Sequence, residues 1–321
     1  MGSRLKVQPI SRVGLGPVVE MAEHIRAMLP GWEGTVPVDG QRNPSDLRLD
    51  LTHLAHNDAD SFLIASHDSS VLGFIPAFVR SRQLVLTQPW VLPEAQEEGV
   101  AEVLFRRALA FGERSGTTDF VAHLLAGASD QAAAFRFGLR PRFPVYRLRL
   151  AAEPARRVGS ELAKLLPGQE LNPEELARRS GAADLERLDR LARSISRPMD
   201  HDYWLTSRQL RLAKVKEGQR LAAYAYGGAG QCGPVVGTTR EAALAALGWA
   251  LQFAGEGAGA VWVDVVVPAP FESAIEQLLD AVSYTPLRAH ETVLDLVCRL
   301  LLEKQKKQQP SALRYLQRVY Y

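Results

Sequence analysis

The pattern of apolar and polar positions over the first ninety residues predicts short strands and two helices. The helical segments are separated from the strands by Gly-, Pro- and Asp-rich stretches and by short polar turns. The segments with strand-like alternation or β-branched apolar runs are 4–10, 61–66, 71–79 and 83–91, and those with helical spacing are 18–29 and 45–56. The last three strands are predicted to form a meander.

The segment that follows residue 91 organises the chain around it. The chain leaves a predicted strand through Pro93, turns at Gly99 and enters an amphipathic helix. The apolar residues of this helix share one face: Ala101, Leu104, Phe105, Ala108 and Phe111. The first backbone N–H groups of a helix have no partner within it, so they favour an anion, phosphate above all. An ordinary strand-to-helix connection is the structural alternative.

The remainder of the chain predicts a second domain that repeats part of the first. A strand, a helix and a final strand complete the first pattern, at 119–124, 129–137 and 143–150. A polar stretch at 151–172, with Pro154 and Pro167-Gly168, predicts a linker. The elements predicted beyond it are helices at 173–179, 183–195, 240–253 and 271–281 and strands at 210–215, 220–226, 233–236 and 260–267.

Composition and charge narrow the class of protein. The chain has 321 residues, of which 46% are hydrophobic and 23% charged, a balance typical of globular proteins with two domains. A formal net charge of +2 gives no strong attraction to nucleic acid or to a membrane. With two cysteines, no signal peptide and no run of about 18 apolar residues, we expect a cytoplasmic protein. The abundance of Ala and Arg is typical of a bacterial source.

The motif segment Val91-Leu92-Pro93-Glu94-Ala95-Gln96-Glu97-Glu98-Gly99-Val100-Ala101 resembles the acetyl-CoA-dependent N-acetyltransferase (GNAT) superfamily. There, the spacing Q-x-x-G-x-A marks the turn that wraps the pyrophosphate of coenzyme A. The order of elements over residues 4–150, and the ending at Gly138-Leu139, are also similar to that family. The resemblance implies an α/β (α+β) fold, with a mixed central sheet flanked by helices, present twice and with the second copy degenerate and incomplete.

The resemblance also implies domain boundaries. Residues 1–150 are predicted to form the acetyl-CoA-binding domain, 151–172 the linker and 173–281 the degenerate copy. At the turn equivalent to the motif, the second copy has Gly237-Thr238-Thr239-Arg240-Glu241-Ala242-Ala243, so no phosphate site is expected there. Residues 282–321 are predicted to be a non-native or poorly packed tail.

By this resemblance, acetyl-CoA lies between the splayed strands 84–92 and 119–124. The backbone near the strand end holds the pantetheine arm and acetyl carbonyl, the turn holds the pyrophosphate, and a serine can donate to the cofactor. The implied cofactor-binding residues are Val91, Leu92, Gln96, Glu97, Glu98, Gly99, Val100, Ala101 and Ser129. Ser129 as a plain helix cap is the alternative. No metal is implied.

Three departures from the family concern the chemistry. Glu97 and Glu98 stand where many relatives have Lys or Arg, and each disfavours a phosphate by about 0.3–1 kcal/mol. The position of the usual general-acid tyrosine holds Ala134, for which Tyr146 is a candidate substitute. The strand 83–92 has no carboxylate base, so proton loss is either relayed by water or assisted by a base elsewhere: Glu94, His67 or His123, of which His123 is the best histidine candidate. A structural role is the alternative for both catalytic candidates.

Other groups of residues suggest weaker sites. His53 and His56, with Asp58 and Asp60 beyond, have a metal-like spacing, although a solvated helix end is the simpler interpretation. A basic cluster could meet the 3′-phosphate of the cofactor or an acidic substrate, or form a solvated face: Arg136, Arg140, Arg142, Arg147 and Arg149. Four aromatic residues could line a substrate cleft or belong to a core: Tyr203, Trp204, Tyr224 and Tyr226.

Two functions from different classes follow. The first is an N-acetyltransferase that transfers acetyl from acetyl-CoA to a primary amine of a small molecule or peptide by direct attack. The second is a non-catalytic acyl-CoA-binding or interaction protein on the same scaffold; a scaffold without coenzyme A is a third. Neither a nucleic-acid nor a membrane partner is expected, and the oligomeric state is open.

The segment Val282-Ser283-Tyr284-Thr285-Pro286-Leu287-Arg288-Ala289-His290-Glu291-Thr292 resembles translated read-through of a sequencing-library adapter. We therefore predict that the coding frame of the source gene departs from this sequence at about Val282. A long-read assembly of the locus checks this prediction. An unbroken frame through Tyr321 would show instead a native amphipathic tail.

Overall fold

The computed structural model describes residues 5–28, 44–68, 70–125, 132, 134–171, 179–256, 260–283 and 297–304. The chain divides into two compact units: Met1–Pro144 with Val297–Lys307, and Val145–Leu296 with Gln308–Tyr321. Ser129 and most of the predicted helix at 173–179 lie outside the described residues.

The described part of the first unit contains four helices around two sheets. The helices are α1 Ile10–Val13, α2 Gly16–Met28, α3 Pro44–Asn57 and α4 Val100–Arg114. The strands are β1 Lys6–Pro9, β2 Leu63–His67, β3 Ser70–Ile75, β4 Ala77–Arg80, β5 Gln83–Leu86, β6 Trp90–Val91, β7 Asp119–Leu125, β14 Val297–Lys304 and, at its start, β8 Leu139–Ala151. One sheet has the order β1-β2-β3-β6, and in the other β4, β5, β7 and β14 are successive neighbours.

The third predicted strand of the meander, at 83–91, is two strands in different sheets. β5 pairs in parallel with β7, from Gln83 opposite Asp119 to Leu86 opposite Ala122, whereas β6 pairs antiparallel with β3. Between them, the amide of Thr87 donates to the carbonyl oxygen of Pro76 at 3.2 Å. Pro89 has no N–H to give to either ladder, so the chain can leave one sheet and join the other at this point.

The apolar face of α4 fills the core of the first unit, as its spacing predicts. Val100, Leu104, Phe105 and Ala108 are fully buried, and they pack with side chains from both sheets, among them Ile75 of β3 and Leu84 of β5. Because the helix contacts both sheets, its first turn is fixed relative to the point where β5 and β6 separate.

The described part of the second unit is one mixed sheet with helices against it. From Val145 onwards, β8 belongs to this sheet, whose order is β8-β13-β12-β11-β10-β9. Its helices are α5 Ala152–Ala163, α6 Arg179–Arg193, α7 Pro198–Asp202, a π-helix Tyr203–Ser207, α8 Arg240–Glu256 and α9 Glu272–Ser283; its other strands are β9 Gly168–Glu170, β10 Arg211–Glu217, β11 Arg220–Gly228, β12 Gln231–Gly237 and β13 Trp262–Pro268. Among the pairings described, β12 and β13 are parallel, as β5 and β7 are in the first unit.

The predicted linker at 151–172 is instead part of the second unit. Its helix α5 buries Ala152, Ala155 and Leu162 at helical spacing in the core. A Cβ on Gly159 would lie 2.7 Å from the carbonyl oxygen of Gly248 in α8, so the two helices approach closely because both positions are glycines. Polar residues on the outer face of α5 conceal this apolar stripe in the sequence.

Part of the tail predicted to be non-native forms a strand in the structure. β14 runs antiparallel to β7, with Arg299 opposite Leu125 and Glu303 opposite Val121. This pairing concerns the position of the backbone and not the origin of the coding sequence, so the predicted foreign origin from about Val282 stays a prediction.

A buried polar network ties α6, α7 and β11 together. Asp189 is fully buried and accepts hydrogen bonds from Arg197, from the hydroxyl of Tyr224 at 2.5 Å and from Nε2 of His201 at 2.9 Å. Nδ1 of His201 lies 2.7 Å from the hydroxyl of Tyr226. Burial alone would raise the pKa of Asp189. The hydrogen bonds from His201, Arg197 and Tyr224 and the charge of Arg197 outweigh this effect, so the pKa lies below its ordinary value.

We expect Asp189→Asn to lower the free energy of unfolding of the second unit by about 3–5 kcal/mol, because it leaves the Arg197 charge buried without a counter-ion. Since the folded-state pKa of Asp189 is lowered, its stabilisation is present above the unfolded-state pKa and is lost as the pH falls through the folded-state value. The difference between wild type and variant should therefore shrink below about pH 4.

Urea unfolding, with hydrogen exchange to assign the change to α6 and β11, measures this effect. Asp184→Asn is the matched control on the same helix. Asp184 is half exposed and lies 3.8 Å from Arg187, so its loss should cost about 0.5 kcal/mol or less. Equal costs for the two variants would contradict the assigned role of the buried pair.

Candidate functional site

In the first unit, the chain of β5 and β6 diverges from β7 where it changes sheets. The parallel pairing of β5 with β7 ends at Leu86 and Ala122, and β6 then turns to β3 while β7 continues to Leu125. The two chains therefore separate beyond this pair, at the same end as the start of α4. This divergence is the splay between strands that the resemblance implied.

The strand β6 lies close to β3 because residue 73 is a glycine. A Cβ on Gly73 would lie 2.8 Å from the carbonyl oxygen of Trp90 and 3.0 Å from Val100, so only glycine lets the strand end and the first turn of α4 come this near. Val91 is buried, and the amide of Leu92 donates to the carbonyl oxygen of Leu72 at 3.0 Å. The amide of Leu92 is therefore already bonded within the protein.

The turn before α4 contains a short helix that the spacing of the motif did not predict. Pro93–Glu98 forms a 3-10 helix, whose amides follow an i→i+3 bonding pattern, and Gly99 ends it in the left-handed region with φ 74° and ψ 18°. The amide of Val103 donates to the carbonyl oxygen of Gly99 at 3.1 Å, the first bond of α4. The amides without a helical partner are thus those of Val100, Ala101 and Glu102.

The charges at the start of α4 are partly balanced. Glu97 and Glu98 are exposed, as is Gly99 between them and the helix. Glu102, in the first turn, binds Arg106 of the same helix at 2.7 Å and Arg136 at 3.3 Å. These two arginines offset the Glu102 carboxylate, whose charge would otherwise oppose an anion at the amides.

The two catalytic candidates lie on different units. His123 lies on β7 and is exposed, whereas its neighbours Ala122 and Leu124 point into the core, so the imidazole is on the opposite face of the strand. Tyr146 lies on β8 opposite Val267 and packs against the core of the second unit. Neither role is decided by these positions, and both stay predictions.

The position of the usual general acid is occupied by a small, buried side chain. Ala134 is fully buried in the core of the first unit, and the next residue, Phe135, is 39% exposed. Arg140 lies over the Phe135 ring and donates to the carbonyl oxygens of Phe135 and Leu139. No proton donor is therefore supplied by either side chain at this place.

The corresponding turn of the second unit is closed by its own side chains. The hydroxyl of Thr239 accepts the amide of Ala242 at 3.2 Å, and the amide of Thr238 donates to the carbonyl oxygen of Ala222 at 2.9 Å. A Cβ on Gly237 would lie 2.8 Å from Ala243, so strand and helix are in contact. These bonds use part of the donors that a phosphate would need.

The weaker candidates are bonded within the protein. Nδ1 of His53 lies 3.1 Å from the side-chain amide of Asn57, and the carboxylate of Asp58 binds buried Arg80 at 2.9 Å. In the basic cluster, Arg149 forms a bidentate pair with Asp264 at 2.8 and 3.0 Å. Tyr203, Tyr224 and Tyr226 are buried in the second unit, as the core interpretation expects.

The described residues show neither a metal centre nor a membrane-spanning helix. They contain no group of three or more His, Cys, Asp or Glu side chains placed to hold a metal ion. Within the same ranges, no helix combines the length and the apolar character needed to cross a membrane.

Sequence reasoning missed two features around these sites. The contact of Arg136 with Glu102 joins residues 34 positions apart, and no local pattern signals it. The π-helix Tyr203–Ser207 and the network below it also escaped prediction, although Asp189, Arg197 and His201 could have been noted as three ionisable residues among helical apolar positions.

The chain matches no family model and no curated protein. It is similar to the solved structure of a candidate acetyltransferase from Pyrococcus horikoshii, at 16% identity, with 94% of this chain and 90% of that one covered and a TM-score of 0.66. A GCN5-related N-acetyltransferase from Sphaerobacter thermophilus covers 95% and 96% of the two chains at 14% identity and a TM-score of 0.59.

A third solved structure is a tandem GNAT protein from the clavulanic acid biosynthesis pathway. It aligns over 95% of this chain and 100% of its own length, at 13% identity and a TM-score of 0.54. The chain has the tandem GNAT fold. The predicted fold class, α/β (α+β) with GNAT units in tandem, is therefore confirmed.

Proposed function

We propose that the chain is an acetyl-CoA-dependent N-acetyltransferase whose first unit binds the cofactor. The observation that carries the proposal is the divergence of β5/β6 from β7 directly beside the start of α4. This divergence supports a slot for an extended pantetheine arm beside three amides that suit a pyrophosphate. The acceptor is a primary amine of a small molecule or peptide.

The cofactor-binding residues in this proposal are those of the motif. Val91 and Leu92 line the slot, and the amides of Val100 and Ala101 together with the backbone of Gly99 receive the pyrophosphate. Gln96, Glu97 and Glu98 form the exposed turn beside it, and Ser129 is proposed as an additional donor. The Leu92 amide is bonded to Leu72, and the Leu92 carbonyl oxygen accepts the amide of Ala95 at 2.9 Å, so this oxygen has one lone pair left for the pantetheine arm.

The chemistry requires three events. A neutral amine attacks the thioester carbonyl, the oxyanion is stabilised by backbone donors, and coenzyme A leaves as a thiol after gaining a proton. We assign proton transfer to His123 in the first place and to Tyr146 in the second. His123 is exposed on a strand that flanks the slot, which gives its imidazole access to water and substrate.

One observation favours the second candidate function, a non-catalytic acyl-CoA-binding protein. Ala134 stands at the usual general-acid position and is buried, so the common proton donor is missing. Calorimetry with acetyl-CoA, followed by a thiol-release assay over a panel of amines, separates the possibilities. Binding with turnover supports the enzyme, binding without turnover supports the second function, and no binding overturns both.

We expect Gly99→Glu to abolish acetyl-CoA binding, with an affinity loss of about 100-fold or more. A side chain there projects into open space in front of the α4 amides and adds a negative charge where the pyrophosphate is proposed to lie. Isothermal titration calorimetry measures the effect.

Gly116→Glu is the matched control for this experiment. Gly116 follows the other end of α4, has a φ of +72° close to the +74° of Gly99, and has equally open space around its Cα. Both variants carry the same left-handed strain of about 1–2 kcal/mol, so only the position differs. Equal loss of binding in the two variants would place the cofactor elsewhere.

We expect His123→Gln to lower kcat by about 100-fold with little change in acetyl-CoA affinity, because it removes a proton acceptor while keeping a polar side chain of similar length. His24→Gln, at an exposed histidine on α2, is the control. An unchanged kcat in His123→Gln would transfer the proposed role to Tyr146.

A further inference from the structure

Arg197 occupies an enclosed position in the second unit. It precedes α7 and is 5% exposed. Its Nε donates to both carboxylate oxygens of Asp189 at 3.1 Å, and its Nη2 donates to Asp189 Oδ1 at 3.0 Å and to the hydroxyl oxygen of Tyr224 at 2.7 Å. The Trp204 ring covers the guanidinium, with its centroid 4.8 Å from Cζ.

The groups around the guanidinium are held in place by bonds that do not involve Arg197. The hydroxyl of Tyr224 and Nε2 of His201 bind the two oxygens of Asp189, at 2.5 and 2.9 Å. The hydroxyl of Tyr226 lies 2.7 Å from Nδ1 of His201, and the Trp204 ring packs 5.1 Å from the Tyr226 ring. The carboxylate and the aromatic faces should therefore keep their positions when the Arg197 side chain is removed.

We call this set of groups the cation cage: Asp189, Trp204, Tyr224 and Tyr226. Burial raises the pKa of Tyr224 and Tyr226, so both hydroxyls stay neutral, whereas Asp189 keeps its charge. Without Arg197 the cage would hold one negative charge, aromatic faces and a hydroxyl. This is the combination with which proteins bind organic cations. The Nε of Arg197 reaches both oxygens of the carboxylate and its Nη2 reaches Oδ1, so the carboxylate suits a planar group with two adjacent N–H donors.

The segment that carries Arg197 is unusual at both ends. It begins at Ser194 with φ +58° and closes at Gln209 with φ +51°, both non-glycine residues in the left-handed region. Between them lies the π-helix Tyr203–Ser207, which brings Trp204 over the guanidinium. Such backbone outliers persist only where the surrounding structure fixes them, and they are frequent at binding sites.

We propose that the cation cage is a binding site for a guanidinium group and that Arg197 fills it from within the chain. The second unit thus carries a ligand site that its own side chain keeps occupied. A guanidinium-bearing ligand has to compete with Arg197 to enter it. The inference concerns the second unit alone and is independent of acetyl transfer in the first.

The test is chemical rescue of Arg197→Ala in the full chain with N-ethylguanidinium, which replaces the atoms removed. Calorimetry should show binding to the variant at least about tenfold tighter than to wild type, where Arg197 occupies the cage, since hydrogen bonds to a charged group have this strength. The melting temperature of the variant should rise with ligand concentration, and that of wild type should not.

N-ethylurea, neutral and of the same shape, and n-propylammonium, charged and not planar, are the ligand controls. Binding of either as tight as that of N-ethylguanidinium would overturn the assignment of a planar cation. Arg197→Met fills the cage with an apolar chain and should not bind. Equal binding by Arg197→Met and Arg197→Ala would place the ligand outside the cage.

The outcome is decisive even if Arg197→Ala does not fold by itself. Refolding that succeeds with N-ethylguanidinium and fails with N-ethylurea supports the proposal. A variant that stays unfolded with both compounds, or that folds without binding either, shows that the cage is only an internal ion pair and overturns it.

Discussion

The first unit depends on a backbone constraint at residues 87–89. A strand can hydrogen-bond to only one neighbour on each side, and here the chain gives up β7 as a neighbour after Leu86 and takes β3 from Trp90. Thr87 bonds to Pro76 and Pro89 has no amide hydrogen, so the exchange leaves few buried donors unpaired. The divergence of β6 from β7 and the position of the motif turn follow from this exchange of partners.

The start of α4 combines attraction and repulsion toward an anion. Its unpaired amides and the helix dipole attract, and the exposed Glu97 and Glu98 repel. Glu102 does not add its full charge, because Arg106 and Arg136 bind it on both carboxylate oxygens. An anionic ligand proposed at this place would bind mainly backbone donors. Because the exposed carboxylates of Glu97 and Glu98 would repel it and salt screens that repulsion, its affinity should depend on ionic strength.

Sequence periodicity predicted most of the fold because the buried face of a helix or strand has apolar residues at a characteristic spacing. The helix α4 and the strands β2, β7, β11 and β13 were within a few residues of their observed bounds, whereas the single strand predicted at 71–79 is β3 and β4, which lie in different sheets. The strand at 83–91 was predicted as one element, since apolar spacing does not reveal a change of partner. The motif located Gly99 and the helix start, but the 3-10 helix before it follows from local hydrogen bonding that the spacing does not encode.

Contacts between distant residues were beyond prediction for a similar reason. The buried pair of Asp189 and Arg197 is separated by a helix end and a left-handed Ser194, and its aromatic partners come from β11 and the π-helix. Each residue alone is unremarkable in sequence, since charged residues are common on helices. Their burial is a property of the assembled unit, to which no local window is sensitive.

The close approach of Gly159 and Gly248 has a consequence for how the chain can be divided. The segment predicted to be a linker, 151–172, is part of the packed structure, because α5 covers Ala-rich α8 and β9 extends the sheet beside β10. An excised C-terminal fragment beginning at residue 173 would expose that alanine surface to water and lack both neighbours. A fragment intended to fold autonomously has to start at Val145, within β8, where the two units meet along the chain.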